Sequence, residues 1–152
     1  MATLNINDPR IIAYLEDLAR AGFLDKAVWK TIGEALLRST KKRYAKQQAP
    51  DGTRWAPLSP QYAAWKKRHK KGRKILKLEG EMRNTLNYQA GDASVAIGSD
   101  REYSSIHQFG GRFKAFGQHN AVMPARPFLG LSAEDEQAIL DTIADAFEAN
   151  QP

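Results

Sequence analysis

The positions of the prolines restrict the fold of this chain more than any other feature of its sequence. Pro9 suits the first turn of a helix, because its φ is already helical and its missing N–H would have no partner there. The next proline is Pro50. Apolar residues keep helical spacing from Asp25 to about Gln48, so the sequence predicts one long helix that ends before Pro50.

Two further prolines enclose an arginine in the second half of the chain. Residues 123–129 read MPARPFL, and each proline disfavours helical backbone at the residue before it, so an extended run is predicted. Proline cannot donate to a β-ladder, which places this run at the edge of a sheet or beyond the edge. Arg126 is expected either to pair with a carboxylate through two hydrogen bonds or to be an exposed charge in a rigid turn.

Apolar residues at helical spacing also predict a helix near each end of the chain. At the N-terminus an amphipathic helix is expected within an arm of residues 1–24, with Asp8 as its N-cap. Near the other end, Ser132 and Asp135 resemble a capping box. The final helix predicted after this box has an acidic outer face with no Lys or Arg opposite. Its acids are Glu134, Asp135, Glu136, Asp141, Asp145 and Glu148.

A hairpin is predicted at about residues 84–98, because apolar residues alternate on both sides of a Gly-Asp turn. A short helix should follow and end at Gly110, and residues 112–120 are expected to form a polar loop. The fold class that we predict is α+β. A small antiparallel sheet, made of this hairpin and an edge run at about 121–130, packs with the long N-terminal helix and the C-terminal helix. With 152 residues, the chain fits one domain that can bury its own core.

The formal net charge of +6 is concentrated in a predicted loop insertion at residues 66–77. This segment has no acid, and the cations considered as contacts are Lys66, Lys67, Arg68, Lys70, Lys71, Arg73 and Lys74. Two interpretations remain open: a solvated, mobile loop, or a surface that contacts nucleic acid or an acidic protein. Only His69 interrupts the cations, so any contact with DNA would be to phosphates and sensitive to salt.

Several other side chains are candidates for contact with a subunit or partner. The apolar surface of the long helix is wider than a surface helix needs, which fits either a central core helix or a helix with one face on a neighbouring subunit. Aromatic residues on the predicted polar loop are either anchors folded back onto the core or partner contacts. The contact candidates are Trp29, Arg112, Phe113, Phe116, Arg126 and Phe128.

The sequence contains no recognisable catalytic or cofactor-binding set. There is no cysteine, and the three histidines lack the spacing of a metal site. Neither a nucleophile elbow nor a phosphate-binding loop occurs, so we expect no enzyme activity, no cofactor and no metal. His107 is expected to be a hydrogen-bonded structural histidine and not a catalytic base. No signal peptide or membrane-spanning run is expected.

The order of the punctuating motifs resembles that of the phage virion morphogenesis family, which includes tail completion proteins of tailed phages. These motifs are DGTRWAPL at 51–58, IL at 75–76, LEGEM at 78–82, VAIG at 95–98, IHQFG at 106–110 and PARPFLG at 124–130. The resemblance covers about residues 25–147. It implies a non-enzymatic structural protein of a tailed virus, with a small antiparallel sheet and flanking helices.

The resemblance also implies a place and partners. Such a protein acts at the head–tail junction, or neck, and helps to join the tail to the DNA-filled head. It would form a homo-oligomeric ring, commonly a hexamer, and would meet tail-tube and head-connector proteins. Its location would be the virion neck, and the host cytoplasm during assembly. In a ring, the acidic final helix and the basic loop are candidates for opposite contact patches. The basic loop would otherwise face genomic DNA in the channel. The alternative to this function is a stand-alone basic nucleic-acid-binding protein.

Overall fold

The computed structural model describes residues 9–22, 24–77, 81–115 and 119–149. Along the chain, the helices and strands are α1 (Pro9–Arg20), α2 (Lys26–Lys46), α3 (Pro60–Arg68), α4 (Glu81–Asn84), β1 (Leu86–Ala90), β2 (Val95–Ser99), α5 (Ser104–Phe109), β3 (Gly111–Ala115), β4 (His119–Met123) and α6 (Ala133–Ala149). The predicted α+β class, the long helix and the C-terminal helix are confirmed. The predicted N-cap Asp8 lies outside the described residues.

The long helix α2 is the element on which the fold is built. It begins where Asp25 accepts a hydrogen bond from the Val28 backbone N–H at 3.0 Å, and it ends at the left-handed residue Gln47. The helix packs against β1, β2 and α6. Gly33 lies at the crossing with β1, where a Cβ would overlap the Tyr88 ring. The glycine in mid-helix therefore allows the hairpin to approach the helix closely.

The strands form two separate two-stranded antiparallel sheets. Strands β1 and β2 pair from Leu86↔Ser99 to Ala90↔Val95, which confirms the predicted hairpin. Strands β3 and β4 pair from Gly111↔Met123 to Ala115↔His119. Among the described elements, β3 and β4 pack extensively only on each other. The second hairpin therefore projects from the body formed by α2, α6 and the first hairpin.

The placement of the second sheet corrects two predictions. The segment 112–120, predicted as a polar loop, supplies residues of β3 and of β4, and the predicted edge run at 121–130 is a strand only as far as Met123. The hairpin was missed although Phe113 alternates with Arg112 and Lys114, because Val122 is the single β-branched residue of the two strands and the strand signal is therefore weak. Residues 124–130 leave the ladder, and their backbone groups bond the His107 carbonyl and side chains of other segments instead.

The core lies between α2, α6 and the first hairpin. The loop segments that contain Trp55 and Phe128 close it. Its buried apolar residues include Leu18 of α1, Ile32 and Leu36 of α2, Trp55, Leu86, Ile97, Phe128, Ile139 and Ile143. Leu18 attaches α1 to the core, while Ile12 and Tyr14 on the same helix are exposed. The short helix predicted before Gly110 is confirmed as α5, and Gly110 is its C-cap with φ 70°.

Candidate assembly surface

Three of the sequence motifs are bonded to one another inside the protomer. The side-chain oxygen of Gln108 accepts hydrogen bonds from the backbone N–H groups of Phe128 and Leu129, each at 3.0 Å. Its amide nitrogen donates to the Leu129 carbonyl at 2.9 Å. One glutamine thus replaces the strand partner that the proline-bounded run would otherwise need.

Arg126 belongs to the same internal network, which corrects both expectations for it. Its Nε donates to the Ala56 carbonyl and its Nη2 to the Pro57 carbonyl, both at 2.8 Å. The residue is 6% exposed, and its backbone N–H donates to the His107 carbonyl at 2.7 Å. The guanidinium therefore joins the 51–58 motif to the 124–130 motif through carbonyl oxygens. It is buried, and it has no carboxylate partner among the described residues.

Phe128 is also an interior residue. It is fully buried, and its ring makes an edge contact with Tyr44, whose ring makes a second edge contact with Trp55. Trp55 in turn donates from Nε1 to the Pro127 carbonyl at 2.6 Å. Because Phe128 and Arg126 are buried within one protomer, neither side chain is available to a second subunit without rearrangement of the core. The sequence left open whether these two residues contact their own protomer or a neighbour, and the structure shows contacts within the protomer.

His107 lies where α5 meets the Arg126 segment. Burial, and secondarily the positive charge of Arg126, lower the pKa of its imidazole below the usual value of 6.5, which favours the neutral ring near pH 7. Its buried Nδ1 has no hydrogen-bond partner among the described residues, so the expected ring hydrogen bond is not found at that atom. The contacts found for His107 are an edge contact of its ring with Tyr103, with centroids 6.0 Å apart, and the hydrogen bond that its backbone carbonyl accepts from Arg126.

Sequence reasoning missed the buried ion pair between Arg43 and Asp135. Arg43 Nη1 lies 2.6 Å from Asp135 Oδ2, and Arg43 Nη2 also donates to the Gly130 carbonyl at 2.9 Å. The capping box is confirmed, since Ser132 N–H donates to Asp135 and Asp135 N–H donates to Ser132 Oγ. A signal was present: Arg43 falls seven residues after Leu36, on the apolar stripe of α2.

The environment of Asp135 keeps its carboxyl ionised. Burial alone would raise the pKa of this group. Hydrogen bonds from Ser132, Ser39 and Arg43, together with the Arg43 charge, outweigh burial and hold the pKa below its usual value of 3.8. Asp135 is therefore the buried acid of α6, while Asp141 accepts a surface hydrogen bond from Gln137 Nε2 at 2.8 Å. The other five acids of α6 are exposed: Glu134, Glu136, Asp141, Asp145 and Glu148.

The predicted loop insertion at 66–77 begins inside a helix, because α3 continues to Arg68, and one of its lysines is buried. We keep the name basic loop for residues 66–77. Lys66 is 2% exposed, and its Nζ donates to the carbonyls of Lys74 at 2.7 Å and Lys77 at 2.8 Å. Burial lowers the pKa of its ammonium group. Lys66 is thus a tether for the loop and not a surface contact. The remaining candidates are exposed as expected: Lys67, Arg68, Lys70, Lys71, Arg73 and Lys74.

A second tether and an aromatic stack complete this region. Gln47, at the end of α2, accepts a hydrogen bond from the Ile75 N–H at 2.6 Å. On α3, the Tyr62 and Trp65 rings stack with centroids 5.7 Å apart, and Trp65 and His69 stack at 4.4 Å. The loop is therefore held against α2 and α3, and it presents its cations in a defined arrangement.

The projecting hairpin carries the contact candidates that are accessible. Arg112 and Phe113 on β3 are exposed, and Val122 on β4 is 74% exposed. Phe109, just before the hairpin, is 71% exposed. Phe116 lies outside the described residues. Trp29 is half-buried on α2, and its Nε1 has no hydrogen-bond partner among the described residues. Contact through Trp29, Arg112 or Phe113 stays a prediction.

Neither metal-binding nor membrane-spanning features were found in the part of the chain that the structure describes. Within residues 9–22, 24–77, 81–115 and 119–149, no three His, Asp or Glu side chains are grouped so that they could hold a metal ion. The helices described there are too short or too polar to cross a membrane. What these residues do present is segregated charge, with exposed cations on α2 and around α3, and exposed carboxylates on α6.

Comparison with known proteins agrees with the motif pattern. A sequence model described as the phage virion morphogenesis family matches residues 6–148. The chain is 35% identical over 121 residues to the putative capsid assembly protein G of Escherichia phage Mu, covering 78% of this chain and 77% of that protein. It is 34% identical over 122 residues to the Mu-like prophage FluMu G protein 2 of Haemophilus influenzae, covering 76% and 86%. It is 28% identical over 139 residues to tail completion protein S of Escherichia phage P2, covering 90% and 91%. No solved structure shows a significant match.

Proposed function

The chain belongs to the phage virion morphogenesis family, and from this membership we propose that it is a non-enzymatic protein that completes the tail of a tailed phage. It acts at the neck, where it helps to join the tail to the DNA-filled head. The observation that carries this proposal is the match of the family over residues 6–148, almost the whole chain. The protein would be assembled in the host cytoplasm and then remain in the virion.

The relative in phage P2 supports the assignment to the tail. That protein is named a tail completion protein, and its similarity extends over 90% of this chain. The relative in phage Mu is named a putative capsid assembly protein, which points to the head instead. A protein at the neck contacts both the head and the tail, so a position at the neck is consistent with both names.

The use of the polar motif residues supports a structural role over an enzymatic one. The side chains of Gln108 and Arg126 form hydrogen bonds with backbone groups of the same protomer. Arg43 and Asp135 do the same between α2 and α6. Such bonds fix the relative positions of loops and helices, and they leave none of these groups facing an open cleft. The motif residues thus support a rigid subunit.

We propose further that the subunits form a ring, with a hexamer as the expected stoichiometry. The support is the segregation of charge, because a ring needs two different and complementary patches on each subunit. The exposed carboxylates of α6 and the cations of the basic loop have that property. Within the ring, tail-tube and head-connector proteins are the expected neighbours above and below.

The deciding experiment is electron microscopy of particles made by a phage that lacks this gene. We expect DNA-filled heads beside separate tails, and joined particles when the wild-type protein is supplied in trans. Normal joined particles without the protein would overturn the proposal. Missing or misshapen heads beside complete tails would favour a role in capsid assembly instead.

A second candidate function is a stand-alone nucleic-acid-binding protein, which the exposed cations of the basic loop favour. It predicts tight binding to DNA at moderate salt by the isolated protein. Neutralising Lys67, Lys70 and Arg73 should then reduce the slope of log affinity against log salt by about 3. A matched control is to neutralise Lys30, Arg38 and Lys42, which are exposed on α2. Equal effects of both triple variants would exclude a localised DNA site in the basic loop.

A further inference from the structure

A groove lies between α3, the 51–58 segment and the basic loop. Its volume is about 430 Å³. Its lining is mainly apolar and includes Leu58, Ala63, Ala64 and Ile75, which we call the floor, and the cationic residues Lys67 and Arg73 also line it. A groove lined by an apolar floor and by cations suits an amphipathic segment that carries carboxylates.

The groove forms because hydrogen bonds hold the basic loop in place. The Lys66 ammonium holds the carbonyls of Lys74 and Lys77, and Gln47 holds the N–H of Ile75. These bonds hold the segment from which Arg73 and Ile75 line the groove. Burial of an ammonium group costs free energy unless polar groups satisfy it, and here two carbonyls of the loop do so. The loop that they fix forms one wall of the groove.

The outer face of α6 has the chemistry that fits this groove. Asp141, Ala144, Asp145 and Glu148 are all exposed, and their spacing of i, i+3, i+4 and i+7 places them on one stripe. The stripe is a small apolar residue among three carboxylates. We call these four residues the acidic stripe.

Within one protomer, the acidic stripe and the groove lie toward opposite ends of α2. Asp135, at the start of α6, is bonded to Arg43, and α2 ends only three residues later. Since α2 and α6 pack together, α6 must run back along α2 toward its N-terminal end. Asp145 therefore lies about 15 Å from Asp135 in that direction, at 1.5 Å per residue. Gln47, which lines the groove, lies beyond Arg43 in the other direction.

We propose that the groove of each subunit receives the acidic stripe of a second copy of the chain. Ala144 would meet the apolar floor, and the carboxylates would meet Lys67 and Arg73. The contact uses a different surface on each partner, so it is head-to-tail and repeats until a ring closes. This inference rests on the proposed ring and names the two surfaces that form it.

The first test fills the groove without a change of charge. Ala64 is exposed on α3, so Ala64→Phe should leave folding intact while it blocks the groove. Ala45→Phe, at an exposed alanine of α2, is the matched control. By sedimentation velocity of the full chain, wild type and Ala45→Phe should assemble, and Ala64→Phe should self-associate at least about tenfold more weakly. Assembly of Ala64→Phe at wild-type affinity would overturn the proposal.

The second test uses charge reversal and mixing. Asp141→Lys with Asp145→Lys should block the stripe but leave the groove intact. Mixed with Ala64→Phe, which keeps the stripe, this variant should form a heterodimer and stop there, because no further matching surfaces remain. A mixture that stays monomeric, or that assembles beyond dimers, would contradict a head-to-tail contact between these two surfaces.

The outcomes separate this inference from the proposed function. A wild-type ring that Ala64→Phe and the stripe variant both leave intact refutes the groove contact and retains the ring. A wild-type chain that is monomeric at every concentration refutes both the groove contact and the ring. The tail-completion role itself is refuted by normal joined particles without the protein.

Discussion

Arg43 and Asp135 form a buried ion pair that joins the two long helices of the protein, with 2.6 Å between Nη1 and Oδ2. Both side chains are at most 6% exposed. The same carboxylate closes the capping box at the start of α6, and the same guanidinium binds the Gly130 carbonyl. One pair therefore fixes the start of α6, the end of the 124–130 motif and the C-terminal part of α2.

Removal of one member of this pair should destabilise the protein strongly. Arg43→Met leaves a carboxylate buried without its partner, and we expect a loss of about 3–5 kcal/mol in the free energy of unfolding measured in urea. Arg38→Met removes an exposed arginine of the same helix and should change it by less than about 0.5 kcal/mol. Adding Asp135→Asn to Arg43→Met should cost less than the two single changes together. Additive losses would show that the two residues are not coupled.

The pH dependence of stability should report on Asp135. Its pKa in the folded protein is below the usual 3.8, so between these two values the unfolded chain binds more protons. The stabilisation is therefore fully present above pH 3.8 and is lost as the pH falls through the pKa of the folded state. Asp135→Asn should be less stable than wild type near pH 7, with a shallower decline in acid. Parallel unfolding curves from pH 7 to pH 2.5 would contradict this assignment.

Gly110 should tolerate no side chain. A Cβ there would lie 2.7 Å from the Ala125 nitrogen and 2.8 Å from the Met123 carbonyl oxygen, at φ 70°. Gly52 also has a positive φ, 86°, but open space around it. Gly52→Ala should cost only about 1 kcal/mol from its backbone conformation, and Gly110→Ala should cost clearly more through the clash. Equal losses in thermal unfolding would remove the steric part of this explanation.

Substitutions of Phe128 and Phe113 should distinguish an effect on folding from an effect on assembly. Phe128→Ala empties a fully buried site and should cost about 3–5 kcal/mol. Phe113→Ala, on the exposed hairpin, should cost less than about 1 kcal/mol. If the hairpin meets a partner, Phe113→Ala should reduce the joining of heads to tails while its urea unfolding stays near wild type. Unimpaired joining would remove Phe113 from the contact candidates.

Removal of the Tyr44 hydroxyl should be harmless to stability or should increase it. This hydroxyl is buried without a hydrogen-bond partner among the described residues, and burial raises its pKa. The ring itself contacts Trp55 and Phe128. Tyr44→Phe keeps the ring and removes an unsatisfied polar group, so we expect a gain of about 0–2 kcal/mol. A loss above about 1 kcal/mol would indicate an unrecognised partner for the hydroxyl.

The sequence alone determined the elements whose signals are local. Prolines and N-caps set the limits of α2, alternation around a Gly-Asp turn gave the first hairpin, and Ser132 with Asp135 gave the start of α6. The order of the motifs along the chain also indicated the family, because that order is read from the sequence and does not depend on which residues contact one another.

Only the tertiary structure decided which polar side chains face inward. Lys66 and Lys67 are adjacent in a run of cations, yet one is buried and the other is exposed. Arg126 and Arg112 were equal candidates for contact, yet carbonyls of a segment about 70 residues away enclose only Arg126. The reason is physical: a charged group can be buried wherever distant backbone oxygens satisfy it, and their position depends on the whole fold. The groove beside α3, and its position relative to the acidic stripe of the same protomer, also depend on such long-range contacts.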